Sequence, residues 1–252
     1  MLAVFVSILA EHMAVERRLE VLERRDAGGF PLTLGSFQDG PVVVCRTGIT
    51  ESRGQGAADA VLNEFSPSAV LSARMACSFR DAARVGDLVL CGKSYLRRGD
   101  GPVSEPPAEA DQRLLALGEQ AARAAKLRYT VSNALTADFQ TRGLVEHRSL
   151  RQALDIAVVD ANGHFLAEAA RERGIPFLGV RVAMGGALEA PPDRLGLTAE
   201  RGVLRPGGAL AYCLRRPARF PGFMRLAMQV RRGHGRLSRF MREFLREWSL
   251  EP

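Results

Sequence analysis

Four cysteines in 252 residues, Cys45, Cys77, Cys91 and Cys213, form no Cys-x-x-Cys pair and no metal-ligand spacing. That argues against a disulfide framework or a zinc site, and free thiols in a reducing cytoplasm are expected instead. No run of residues approaches the roughly 18 consecutive apolar positions of a membrane span. The apolar start, Met1 to Leu9, lacks a basic leader and a small-residue cleavage site and meets Glu11 and His12 at once. It is therefore expected to be a core strand, not a signal peptide. Aromatic residues are scarce, at 6%, and there is no internal repeat or low-complexity tract.

What is present is the composition of a globular protein, 46% hydrophobic and 25% charged, which excludes a disordered chain. The length suits one α/β domain with a sizeable core. The net charge of +7 is unevenly placed: from residue 201 onward there are twelve arginines against three glutamates. The basic character belongs to this tail, and the rest of the chain is slightly acidic.

Periodicity divides the chain into strands and helices. Leu2 to Ile8 reads as a strand, followed by a charged helical stretch through Glu23. Phe30 to Phe37 and Val42 to Cys45 read as strands joined through Gln38-Asp39-Gly40, where Asp-Gly favours a tight hairpin. A helix over Gly56 to Phe65 ends at Ser66-Pro67-Ser68. Ala69 to Phe79 and Ala83 to Leu90 are strand-like, Tyr95 to Pro107 a surface loop, Ala108 to Lys126 a covering helix, and Tyr129 to Leu135 a further strand. Thr136 to Arg151 is a polar connection.

The most informative stretch is Ile156 to Gly186: an apolar run, a polar turn, helix formers from Phe165 to Arg173, Gly174 as a stop, then Phe177 to Ala183. A crossover of this length suits two parallel strands whose ends, Asp160 to Gly163 and Met184 to Gly186, meet at a ligand crevice. Val159-Asp160-Ala161-Asn162-Gly163-His164, then a helix, Gly-x-Pro-Phe and a strand containing Arg-Val, resembles the purine nucleoside phosphorylase and methylthioadenosine nucleosidase superfamily. The resemblance is nearest to the hopanoid-associated phosphorylases, whose C-terminal region is similar to Arg215-Arg216-Pro217 and the basic apolar segment after it.

That resemblance implies a three-layer α/β fold with a mixed central sheet and a basic helical C-terminal extension, divided as 1–215 and 216–252. It also implies N-ribosyl cleavage of an adenosyl or other purine-ribosyl ligand, lipid-linked in the nearest group, with either phosphate as co-substrate or water as the attacking group, and no other cofactor or metal. The catalytic positions fall on Glu11 or His12 and on Asn162. Substrate-binding positions fall on Arg74, Met75, Ala76, Asp160, Ala161, Asn162, Met184 and Gly185, and phosphate-binding ones on Thr47, Gly48 and Arg74. A homo-oligomer is expected.

The chemistry departs from the family at three places. Cleaving the bond passes through a cationic ribosyl group, which a carboxylate stabilises while an acid protonates the departing base. The resemblance puts that carboxylate at Asn162 and that acid at Gly185. Arg74, Cys77 and Ser78 stand where relatives carry glycines whose backbone N–H groups approach phosphate and sugar. Arg74 could bind an anion, fill the site or point to solvent. Reduced or altered activity is expected, with a non-catalytic ligand-binding or scaffold relative as the alternative. His164 reads better as a core histidine than as an acid.

In the tail, Phe223, Leu226, Val230, Leu237, Phe240, Met241, Phe244 and Trp248 recur at three- and four-residue steps with arginines between them. This is a basic amphipathic helix, either continuous or broken at Gly233-His234-Gly235. Its apolar stripe docks on protein in one reading and meets an anionic membrane surface in the other. Nucleic acid is not expected, because the aromatics lie on the apolar stripe and not among the charges. The corresponding location is the cytoplasm, with the inner membrane face as a peripheral alternative.

Overall fold

In a computed structural model, residues 1–78, 82–99, 101–104, 106–137, 151–186 and 220–250 are described. The elements are β1 (Leu2–Val6), α1 (Leu9–Glu16), β2 (Glu20–Ala27), β3 (Phe30–Phe37), β4 (Gly40–Arg46), α2 (Glu51–Phe65), β5 (Ala69–Ser78), β6 (Leu88–Arg97), β7 (Ala108–Glu109), α3 (Gln112–Ala124), β8 (Tyr129–Ala137), β9 (Ile156–Asp160), α4 (Gly163–Glu172), β10 (Phe177–Gly186) and α5 (Phe220–Ser249). The readings of 138–150, of Cys213 and of the stretch 187–219 lie outside the described residues.

The strands form one mixed sheet in the order β10-β6-β8-β9-β5-β1-β4-β3-β2, and β10 also pairs with β5. The five strands β5, β10, β6, β8 and β9 thus close into a ring, from which β1, β4, β3 and β2 extend. Among the described residues, β9 meets β5 at Cys77 opposite Val159 and Ser78 opposite Val158. The expected parallel pair is not formed: β9 lies antiparallel to β5, and β10 lies parallel to β5 on its other side. Helix α4 therefore carries the chain across β5 instead of joining neighbours.

Side chains of β1 alternate between two cores, as strand geometry requires. Leu2, Val4 and Val6 face α1, α3 and α5, while Ala3 and Phe5 face α2 and α4. This is the three-layer arrangement with a mixed central sheet. The helical reading through Glu23 is corrected: α1 ends at Glu16 and Glu20–Ala27 is a strand. Glu and Arg favour a helix there, but pairing with β3 along Glu20–Ala27 overrides that preference. The hairpin at Gln38-Asp39 forms with both residues at positive φ, 47° and 66°, as a tight primed turn demands. Tyr95 belongs to β6 and not to a loop, and Asp111, whose side chain accepts from the Leu114 N–H at 2.9 Å, starts α3 later than Ala108.

Helix α5 runs unbroken through Gly233-His234-Gly235. Gly233 serves close approach: a Cβ there would lie 2.8 Å from the Met75 sulfur. In the C-terminal half, Leu237, Phe240, Met241, Phe244 and Leu245 are buried in the same core as β1 and α3. In the N-terminal half, Met224 and Met228 are 42% and 50% exposed. Among the described residues no helix is long and apolar enough to cross a membrane. Phe244→Ala should cost about 3–5 kcal/mol of unfolding free energy in urea titration. Met228→Ala should stay within about 0.5 kcal/mol of the parent.

Candidate functional site

Four charged side chains from four elements meet beneath the ring: Glu11 of α1, Arg74 of β5, Asp160 of β9 and Arg181 of β10. Each is at most 5% exposed. Two positive and two negative charges make the group neutral overall, which lowers the cost of burying it.

Asp160 and Arg181 form its centre. The Arg181 Nε donates to Asp160 Oδ2 at 2.7 Å, and Nη2 lies 2.7 Å from the same oxygen. Arg181 Nη1 donates to the Ser72 carbonyl at 2.6 Å, and Asp160 Oδ1 accepts from the Thr136 hydroxyl and the Gly163 N–H. Burial opposes the Asp160 charge, but Arg181, Arg74 and these two hydrogen bonds outweigh it, and the carboxyl is held below its usual range. A Cβ at Gly163 would overlap both the Asp160 carboxylate and the Arg181 guanidinium, so only glycine fits at the start of α4.

Glu11 is in the first turn of α1, where its Oε2 accepts from the backbone N–H of Ser7 and Ile8 at 2.6 and 3.0 Å. Its Oε1 reaches β5 and accepts from the Met75 N–H at 2.7 Å. Burial raises its pKa, and the hydrogen bonds from Met75 and Ile8 together with the Arg74 charge offset this only in part. His12, its neighbour in the sequence, turns away: Nε2 lies 2.8 Å from the Thr33 hydroxyl and 3.4 Å from Glu16. Burial lowers the His12 pKa, so the ring is neutral at pH 7. Of the two, Glu11 is the one that faces Arg74.

Arg74 does not point to solvent. Its side chain runs into the site, where Nη1 donates to Asn162 Oδ1 and Nη2 lies 3.4 Å from the Thr47 hydroxyl. Burial brings its pKa down to about 10, so it remains charged at neutral pH, and its Nε has no hydrogen-bond partner among the described residues. Asn162 spends its amide on the carbonyls of Gly48 and Thr50, at 3.2 and 3.0 Å. Arg74, Asn162, Thr47 and Gly48, assigned to substrate and phosphate from the sequence, are thus gathered together and bonded to one another.

The remaining positions are less uniform. Met75 contributes its N–H to Glu11, and its side chain lies under Gly233. Ala76 is 5% exposed in a small cluster with Ala134 and Ala183, and Ala161 is half-buried between Asp160 and Asn162. The Met184 carbonyl accepts from the Ser78 hydroxyl at 2.7 Å. The Gly185 N–H donates to Gln229 Oε1 of α5 at 3.0 Å. Gln229, Arg181, Thr136 and Ser72 were not among the sequence candidates. Gln229 could have been suspected as the one uncharged amide beside the apolar stripe of α5. Arg181 could have been suspected as a charge in an otherwise apolar strand. His164 is a core residue, with its ring nitrogens 2.9 Å from the Ser94 carbonyl and from Glu168. The thiols are poor nucleophiles, because burial pushes Cys45 up to about 12 and Cys77 and Cys91 to about 11. Among the described residues no group of His, Cys, Asp and Glu is placed to hold a metal ion.

A partly closed mixed sheet between helices, with a helix-start carboxylate and an Asp-x-Asn-Gly strand end converging on a buried arginine, places the chain among the three-layer α/β proteins. A family model described as the phosphorylase superfamily matches residues 4–213, and the chain belongs to that family. Futalosine hydrolase of Helicobacter pylori is similar in structure, with a TM-score of 0.75 at 14% identity over 98% of this chain and 97% of that one. A 5′-methylthioadenosine/S-adenosylhomocysteine nucleosidase of Neisseria meningitidis, solved with methylthio-immucillin-A, gives 0.75 at 14% identity over 96% and 97%. The nucleosidase of that name from H. pylori gives 0.76 at 14% over 98% and 97%. At such identity the likeness establishes the fold. Comparison with curated protein sequences finds no match.

The charges lead to two expected outcomes. Asp160→Asn leaves Arg181 without its counter-charge and should cost about 3–5 kcal/mol at pH 7. Because the folded Asp160 pKa is depressed below 3.8, its contribution is present above that pH and is lost as pH falls through the depressed value. The difference between parent and variant in urea titration should therefore shrink at acid pH. Glu11 behaves in the opposite sense: its contribution is present below pH 4.5 and is lost as pH rises through the raised folded value. Carboxyl-selective carbon NMR should find Glu11 titrating above 4.5; a value at or below the usual one would mean that the backbone hydrogen bonds outweigh burial.

Proposed function

We propose that this chain binds a purine-ribosyl ligand, lipid-linked as in hopanoid-associated phosphorylases, and cleaves its N-ribosyl bond with reduced turnover. The observation that carries the reading is Glu11: a buried carboxylate, held by three backbone N–H groups and raised in pKa, beside a cation. Such a group can take the proton of an attacking water or hold a ribose hydroxyl. Arg74 and Thr47 would receive a phosphate, Asn162 a ribose hydroxyl, and the Met184-Gly185 strand end with Gln229 the base. The ligands named for the similar nucleosidases, methylthio-immucillin-A among them, support a purine-ribosyl choice.

Turnover is reduced in this reading because the charge at the centre is wrong for the transition state. A cationic ribosyl group gains from a carboxylate, and the carboxylate position of relatives holds Asn162 with the Arg74 guanidinium on it. Gly185 offers no acid for the departing base. The same contact favours the second reading, a ligand-binding or scaffold protein without turnover. We place the chain in the cytoplasm or at the inner membrane face, as a homo-oligomer.

Purine release from adenosine, methylthioadenosine and an adenosylated lipid, each with and without phosphate, tests the proposal. The expected result is slow release that Glu11→Gln lowers by a further factor of about 10²–10⁴. The double substitution Asn162→Glu with Gly185→Asp should raise the rate, since Glu would engage Arg74 and restore the missing carboxylate. No release from parent or double variant, in folded protein, would establish the non-catalytic reading.

A further inference from the structure

Beside the end of β10, where the Gly86 N–H donates to the Ala183 carbonyl, α5 and the residues just ahead of β6 line an open pocket of about 510 Å³. Its described lining includes Val85, Gly86, Arg231, Arg232, Arg236 and Arg239. Four arginines line it, the Arg236 guanidine lying against Gly86, no carboxylate is among the described lining residues, and no hydrogen bond or ion pair of any of the four is found among the described residues. Elsewhere several exposed arginines are paired with carboxylates: Arg24 with Glu16, Arg98 with Glu51, Arg171 with Glu168 and Arg242 with Glu243. Like charges gathered without a counter-charge repel one another, and a multiply bonded anion removes that repulsion.

The pattern of the helix also indicates what should be attached to the anion. Residues four apart form a row along an α-helix, and Met224, Met228, Arg232 and Arg236 occupy one such row. Arg231 and Arg239 lie in the adjacent row. The two methionines are 42% and 50% exposed, and Val85, across the cavity from the helix, is 43% exposed. This row lies on the opposite side of α5 from the buried Leu237, Phe240, Met241 and Phe244. A cationic pocket of head-group size, on the same helix face as two exposed methionines, is complementary to a phosphate head joined to an apolar body.

We propose that this cavity seats the head group of an anionic phospholipid at a membrane surface, with Met224, Met228 and Val85 entering the acyl boundary. The proposal deepens the membrane-face reading and is independent of the N-ribosyl chemistry, because none of these residues belongs to the Glu11–Arg74 site. The docked half of α5 holds the cavity rigidly, so binding needs no folding of the helix on the membrane.

The test is co-sedimentation of the full chain with vesicles of phosphatidylcholine alone and of phosphatidylcholine mixed with phosphatidylglycerol, at low and high salt. The parent should pellet with the anionic vesicles only, and less as salt rises. Arg232→Glu with Arg236→Glu should weaken this by about tenfold or more, as expected for losing charge-assisted hydrogen bonds. The milder Arg232→Gln with Arg236→Gln should fall between, and both variants should keep the parent's melting temperature. Met224→Ser with Met228→Ser should also weaken binding to the anionic vesicles. Equal pelleting of parent and charge-reversed protein would overturn the proposal, as would equal pelleting with both kinds of vesicle. Binding of inorganic pyrophosphate by calorimetry without any binding to the anionic vesicles would also overturn it, in favour of a soluble phosphate ligand. Purine release from a soluble nucleoside should be the same in parent and charge-reversed protein, so failure of the lipid proposal and failure of the N-ribosyl reading are distinguishable.

Discussion

The buried pair of Asp160 and Arg181 is the constraint on which the architecture turns. Among the described residues β9 meets β5 through two residue pairs. Arg181 of β10 bonds Asp160 of β9 and the Ser72 carbonyl of β5, while Asp160 also takes the Thr136 hydroxyl of β8. One ion pair thus links four strands of the ring. Desolvating both charges costs several kcal/mol each, and that cost is offset only because nearly every polar atom of the pair has a partner. Gly163 completes the arrangement by leaving room for both groups at the start of α4.

The second charge pair is built differently. Glu11 and Arg74 act on one another through their charges, yet Glu11 spends its oxygens on backbone N–H groups and Arg74 spends its guanidinium on Asn162 and Thr47. A carboxylate at position 162 would form a salt bridge with Arg74. The amide that stands there accepts a hydrogen bond from it and carries no charge. The result is an interior that balances its own charges with the ligand positions filled by its own side chains. A ligand must compete with Arg74 for Asn162 and Thr47 or recruit Arg74 as its own anion contact. Arg74 is thereby tied both to the buried charge balance and to the candidate site.

Helix α5 divides its length between two tasks. Its C-terminal half lies in the core with α1 and α3, and Gly233 lets it sit directly on Met75 beside Arg74. Gln229, one turn earlier, closes on the Gly185 N–H. The opposite side carries the arginines and the exposed methionines. The helix is therefore both a wall of the candidate site and an outward-facing surface, with its two faces set by the 3.6-residue period.

Much of the layer structure could be read from the residues alone. Alternation in β1, the Asp-Gly hairpin, the stop at Gly174 and the apolar spacing of α5 are local signals, and each forms close to where it is expected. The Asp160–Asn162 frame was also legible, because it depends on residue type at a strand end. What could not be read depends on long-range partners. Glu20–Ala27 is a strand because β3 pairs with it, β9 and β10 are separated by β5 although the link between them suits neighbours, and Glu11 rather than His12 faces Arg74 because of the turn of α1. The fate of Arg74 was open among anion contact, plug and solvent until Asn162 and Thr47, distant in sequence, were brought around it. Residue type and period determined the elements and the amide at position 162. The tertiary structure alone decided which charges meet, because burial makes each charge depend on partners that no local spacing specifies.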